Sequence, residues 1–292
     1  MKNPVLKSIA VAGSLLAAAS VSTPASAVDS FTATYKNGSN CGTSHNITGR
    51  EPSLAGTYPV FIYMVGTSES YTHASALAAV SSMADRGYVA ATIAYPNATF
   101  GDCSAISAKA QCAFNPNSAA SAVSALCSRP KADCSKGIVV SGFSQGSILS
   151  ILARNFEPRV EAAYALGAGV QYSNYDLRAC VANGKRSLPS SRLRVVNGEV
   201  DGFMGGNASS VRAQLQELTG FTCSSSSYSC LQSNNSGWYM VKAAEVSDGS
   251  ADHCYMRSGG CLGSKLDQTW NFGAAPWSLE INLDWLTDFT LL

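Results

Sequence analysis

An α/β fold, a mostly parallel central β-sheet with helices on both faces, is what this sequence predicts. Three observations carry that expectation. Runs dense in apolar and β-branched residues recur, such as "YPVFIYMVG" at 58–66 and "GIVVSG" at 137–142, and runs of this kind suit strands buried on both sides. Segments with helical spacing separate those runs, which is the pattern of a sheet built through helical crossovers. No internal repeat or linker-like shift in composition divides the chain, so its length fits one large unit, residues 28–292.

The first segment stands apart from that unit. Residues 1–27, "MKNPVLKSIAVAGSLLAAASVSTPASA", carry Lys2 and Lys7, an apolar run and then Ala25-Ser26-Ala27. This reads as a secretory signal peptide cleaved after Ala27, since the apolar run is too short to span a bilayer. The mature protein is therefore expected to be secreted or periplasmic, with no transmembrane segment.

The remaining elements follow in order. "SFTATY" at 30–35 reads as an antiparallel edge strand, and 58–66 as the first buried one. Residues 72–86 space Leu77, Val80 and Met83 or Ala84 along one helical face, with Gly87 placed to end the helix. "YVAATIAYP" at 88–96 is a second buried strand, stopped by Pro96. A loop containing Cys103 and Cys112 leads to an alanine-rich helix from about 117 to 127. "GIVVSG" is a strand and "QGSILSILAR" at 145–154 a helix. "VEAAYALGAG" at 160–169 and "LRVVNG" at 193–198 supply two more strands. Residues 208–219 form a helix with Asn207 as N-cap and Gly220 at its end. "WYMVKAAEV" at 238–246 is a further strand, and Leu279, Leu283 and Leu286 space an amphipathic last helix.

Charge names no partner. The whole chain has a formal net charge of +1, and loss of Lys2 and Lys7 leaves 18 basic against 19 acidic residues. No basic stripe exists for nucleic acid, and the protein is expected to be a monomer. Ten cysteines in an exported chain imply disulfides. Their spacing suggests four local pairs, Cys103–Cys112, Cys127–Cys134, Cys223–Cys230 and Cys254–Cys261, with Cys41–Cys180 as the long-range one. No CxxC occurs, and only His253 adjoins a cysteine, so no metal is expected.

The chemistry centres on "GFSQG" at 142–146. Ser144 falls between a strand and a helix, at the carboxyl edge of the sheet where catalytic loops gather. A turn this sharp projects the central side chain, and Gly142 and Gly146 are needed because side chains there would strike neighbouring elements. A serine hydroxyl needs a base, and the base needs an orienting acid. The chain has three histidines; His45 precedes the buried strands and His73 opens the first helix, whereas His253 lies after the last strand, in the order Ser…Asp…His. "RVVNGEVDGF" offers Asp201 just past its strand, with Glu199 close by. The oxyanion donors fall to the backbone N–H of Gln145 and to Thr67, with Ser68 second; Thr67 could equally cap its turn. Tyr71 and Phe203 are candidate substrate-binding residues, among aromatics that include Tyr63, Phe100 and Trp238.

These residues resemble the α/β-hydrolase superfamily, and the resemblance runs from about residue 58 to the C-terminus. "GFSQG" is similar to the nucleophile elbow of carboxylesterases, acyl-protein thioesterases and cutinases, and "VGTSES" at 65–70 to the cutinase oxyanion loop. The resemblance implies Ser144 as nucleophile, Gln145 and Thr67 at an oxyanion hole, and Asp201 and His253 as the relay. Two departures stand out: Val65-Gly66 replaces the common His-Gly, and Asp201 and His253 lie farther apart than in a compact cutinase. The expected function is a secreted serine hydrolase acting without cofactor on carboxylic esters of lipid, acetylated polysaccharide or polyester. A peptidase or amidase on the same scaffold, or an inactive binding protein, are the alternatives.

Overall fold

A computed structural model describes residues 27–36 and 42–292. The expected signal segment lies outside the described residues except for Ala27, and Cys41 lies outside them too. Nine strands form one sheet: β1 (Val28–Tyr35), β2 (His45–Pro52), β3 (Val60–Met64), β4 (Val89–Ile93), β5 (Ile138–Phe143), β6 (Val160–Leu166), β7 (Leu193–Gly198), β8 (Ser229–Leu231) and β9 (Gly237–Val241). Their order is β1-β2-β4-β3-β5-β6-β7-β9-β8. Strands β4, β3, β5, β6, β7 and β9 run parallel to one another, while β1, β2 and β8 join antiparallel at the two edges.

The sheet is covered on both sides. Helix α1 (Ala74–Asp85) packs on β2, β3 and β4 and against the last helix. On the other face α2 (Cys103–Phe114) lies against both α3 (Ala122–Cys127) and α4 (Gln145–Leu152). The remaining helices are α5 (Arg178–Val181), α6 (Ala208–Thr219), α7 (Gln268–Phe272) and α8 (Leu279–Thr287). Every residue of β3, β4, β5 and α4 is buried, which explains why α4 is apolar with no charged face. This is the mostly parallel, doubly covered architecture expected of an α/β-hydrolase fold. Among the described residues no helix is long and apolar enough to cross a membrane.

Local signals set most boundaries. Asn207 accepts from the Ser210 N–H at 3.0 Å and starts α6 where expected, and Gly220 closes it at φ 77°. Leu279, Leu283 and Leu286 are all buried under α8. Four expectations need correction. Residues 103–114 are a helix rather than a loop: Asp102 caps it by accepting from Ala105 N–H at 2.9 Å, and Ile106, Ala110 and Ala113 form its buried face. The following helix begins at Ala122, five residues later than 117. Leu77 points outward and is 43% exposed, while Val80, Met83 and Ala84 carry the apolar face of α1. The strand at 238–246 stops at Val241, because the Glu245 carboxylate accepts from the Lys242 N–H at 2.7 Å and winds residues 243–245 into a 3-10 turn.

Three expected disulfides are present, Cys127–Cys134, Cys223–Cys230 and Cys254–Cys261. The fourth joins Cys103 to Cys180, so the Cys103–Cys112 and Cys41–Cys180 pairings are wrong. The reason is geometric: nine residues apart on one helix, Cys103 and Cys112 are separated by about 13 Å of rise, far beyond the reach of a disulfide. Cys112 is itself disulfide-bonded.

Candidate active site

Ser144 occupies the junction of β5 and α4 with φ 53° and ψ −118°, a left-handed conformation that is strained for any residue with a side chain. The turn is locked on both sides: Ser144 N–H donates to Leu166 O at 2.8 Å, and Ser147 Oγ donates to Ser144 O at 2.6 Å. Its glycines are required by close approach. A Cβ on Gly146 would lie 2.1 Å from Met64 O, and one on Gly142 would lie 2.5 Å from the Gly146 carbonyl. The elbow can therefore press against β3 only with hydrogen at both positions.

Asp201 follows β7 and is fully buried. Its Oδ2 lies 2.7 Å from Nδ1 of His253, and its Oδ1 accepts from the Phe203 N–H at 2.9 Å. An ionised carboxylate only accepts, so the proton of this contact sits on Nδ1 and the lone pair on Nε2. Nε2 is buried and has no partner among the described residues. The ring is held by Phe203 and Phe143, with centroids at 4.6 and 4.9 Å. The nearby acids serve elsewhere. Asp252 accepts from the Cys254 N–H at 2.7 Å and is shifted above the ordinary carboxylate range by burial. Glu199 accepts from the Tyr228 hydroxyl and the Ala243 N–H.

His253 and Ser144 line one cleft of about 840 Å³ together with Thr67, Phe100, Tyr172 and Phe203. That volume lies within the range of small-molecule sites. The Gln145 side chain braces the cleft: its Nε2 donates to Thr67 Oγ1 at 2.9 Å and to Thr99 O at 2.8 Å, while its Oε1 accepts from Lys109 Nζ at 3.1 Å. Burial lowers the pKa of Lys109. Since Thr67 Oγ1 accepts from Gln145, its own O–H stays available as a donor. Gln145 opens α4, so its backbone N–H has no intrahelical acceptor. Neither that N–H nor the one of Thr67 meets an acceptor among the described residues.

The structure thus brings Ser144, Asp201, His253, Gln145, Thr67 and Phe203 together. Tyr71 is not with them: it borders a separate depression beside Thr32, Asn46 and Ile47. Tyr63 and Trp238 are fully buried in the core. Sequence reasoning missed the aromatic wall of Tyr172 and Tyr175, whose rings lie 4.6 and 5.4 Å from that of Phe100. It also missed the Glu69–Arg257 ion pair beside the cleft. The acid in "VGTSES" was the one available hint. Among the described residues no group of three His, Cys, Asp or Glu side chains is placed to hold a metal ion.

No family model matches the chain, and no curated protein matches it. Among the solved structures that resemble it, two illustrate the degree of similarity. A hypothetical protein from Pseudomonas aeruginosa is 18% identical with a TM-score of 0.39, over 56% of this chain and 48% of its own, so this chain spans about half its length. A lidless member of the α/β serine hydrolases from Xanthomonas campestris is 13% identical with a TM-score of 0.47, over 73% of this chain and 83% of its own.

Proposed function

We propose that this chain is an exported serine hydrolase that cleaves carboxylic esters through an acyl-enzyme. One observation carries the reading: a serine held at φ 53° on a strand-to-helix turn shares a cleft with a histidine whose Nδ1 is 2.7 Å from a buried aspartate. Ser144 Oγ attacks the ester carbonyl and its proton passes to Nε2 of His253. Asp201 holds the imidazole in that tautomer and steadies its positive charge. The negative oxygen is stabilised by the N–H groups of Gln145 and Thr67, with the Thr67 hydroxyl beside them. His253 returns the proton to the leaving alcohol, and water repeats the cycle on the acyl-enzyme. Four disulfides among the described residues support an oxidising, extracytoplasmic setting.

The test is covalent. Wild type should be labelled stoichiometrically by a fluorophosphonate and should hydrolyse p-nitrophenyl esters, whereas Ser144→Ala should take no label and lose roughly 10⁵-fold or more in kcat. Labelling that survives in Ser144→Ala, or turnover of peptide anilides alone, would sink this reading.

A further inference from the structure

We infer that Glu69 and Arg257 are positioning residues: a largely buried ion pair that fixes the turn carrying the Thr67 N–H and keeps that turn electrically neutral. This deepens the esterase reading and rests on it for its catalytic consequence.

The turn spans residues 66–69, directly after β3. Gly66 N–H donates to Glu69 Oε2 at 2.8 Å, and Glu69 N–H donates back to Gly66 O at 3.2 Å. Asn97 Nδ2 donates to Gly66 O and Glu69 O at 2.7 and 2.9 Å, while Ser68 N–H donates to Asn97 O at 2.9 Å. Three of the four amides are therefore satisfied. The fourth, on Thr67, has no acceptor among the described residues and belongs to a residue lining the cleft with Ser144. Ser68 takes φ 60° to make this possible, a conformation held only by the bonds around it.

Glu69 closes the turn with one oxygen and offers the other to Arg257, which donates to Oε1 from Nη2. The Arg257 side chain is 4% exposed and that of Glu69 13%. The guanidinium carbon lies 5.0 Å from the ring centroid of Phe143, the residue before Ser144. Among the described residues Arg257 Nε has no partner, and Glu69 is the one side-chain acceptor for this cation. Arg257 also sits four residues beyond His253, inside the loop closed by Cys254–Cys261. The pair thus joins the segment bearing the base to the turn bearing an oxyanion donor.

Neutrality matters as much as position. An unpaired carboxylate next to the site of a forming oxyanion opposes the charge that the site exists to stabilise. Removing Arg257 alone should then harm catalysis more than removing both charges. A merely structural pair would show the reverse or no such pattern.

The experiment compares wild type, Arg257→Met, Glu69→Gln and the double variant. It reads kcat and KM on p-nitrophenyl butyrate and amide hydrogen exchange in a peptide covering residues 64–70. Arg257→Met should lose roughly 100-fold in kcat with KM changed less than about threefold, since a mis-aimed donor costs transition-state rather than substrate binding. Glu69→Gln keeps an acceptor for Gly66 N–H but turns its NH₂ toward the Arg257 guanidinium, so it should lose more in kcat than the double variant, in which that cation is gone. The double variant should recover at least about fivefold over Arg257→Met. Exchange at Gly66 should quicken at least about tenfold in Arg257→Met. A double variant no better than Arg257→Met, a loss carried by KM, or unchanged exchange would overturn the inference. If Arg257→Met does not accumulate folded, Arg257→Lys keeps the charge; it should retain at least about a third of kcat, and a loss as large as 100-fold would count against the neutrality argument. If wild type hydrolyses no ester, the esterase reading fails and the exchange result alone decides whether the pair holds the turn.

Discussion

The carboxylate of Asp201 divides its oxygens between the His253 ring and the Phe203 N–H, at 2.7 and 2.9 Å. Replacing it with asparagine tests both contacts. An amide can offer its oxygen to only one of them, so an Asn that keeps the Phe203 contact turns its NH₂ toward Nδ1. The imidazole proton then moves to Nε2, where it blocks uptake of the serine proton. Asp201→Asn should therefore lower kcat about 10⁴-fold at unchanged fold, measured by steady-state ester hydrolysis beside a thermal melt. A loss below tenfold would remove Asp201 from the relay. This residue was legible because it follows a recognisable strand, and His253 because so few histidines compete. Glu69 and Arg257 were not, since 188 positions separate them and nothing local marks them as partners. Tyr71 shows the opposite error: an aromatic near the oxyanion loop in sequence was placed in the cleft, but the chain carries it away to the face of β1 and β2.

Helix α2 shows what strand-and-helix reading gains and loses at the scale of elements. Its signals were all present, with Asp102 at the N-cap and Ile106, Ala110 and Ala113 on one side. Proximity of two cysteines overrode them, although a helix forbids that pairing. Strand β2 was missed for a different reason. "HNITGREP" carries polar and charged residues, and Glu51 is tolerated under the sheet because Arg129 meets it at 2.9 Å and also covers the Phe31 ring. Such compensation is tertiary and leaves no periodic trace. The corrected connectivity has a measurable consequence. Cys103–Cys180 closes a separation of 77 residues and Cys127–Cys134 one of only 7. The chain-entropy model assigns them about 4.5 and about 2.5 kcal/mol. Guanidinium unfolding should therefore show Cys103→Ala/Cys180→Ala to be the more destabilised double variant by roughly 2 kcal/mol. The reverse order would mean that native-state strain or residual unfolded structure outweighs loop closure.

At the scale of the whole molecule, the sheet gathers residues separated by more than a hundred positions because β3, β5 and β7 end on the same side. That topology follows from the alternation of buried strands and helices, which is why the fold class and the proposed positions of Ser144, Asp201 and His253 could be read before the cleft wall could. Charge leads to a last prediction. The sequence has 20 basic and 19 acidic residues, and the charged pair beside the cleft is closed on itself. With so small a net charge, encounter is expected to depend on the apolar rim, where Phe203, Tyr175 and Leu262 are exposed. Salt screens charges over about 10 Å at 0.1 M and leaves apolar contact intact. The kcat/KM for an uncharged ester should then change less than about twofold between 0.05 and 0.5 M NaCl, whereas electrostatically steered association falls steeply over that range. Phe203→Ala should raise KM for a hexanoyl ester more than for an acetyl ester, because the removed ring offers area that only the longer chain can cover. A tenfold fall in kcat/KM with salt would place an unpaired charge in substrate capture and overturn the apolar account of that step.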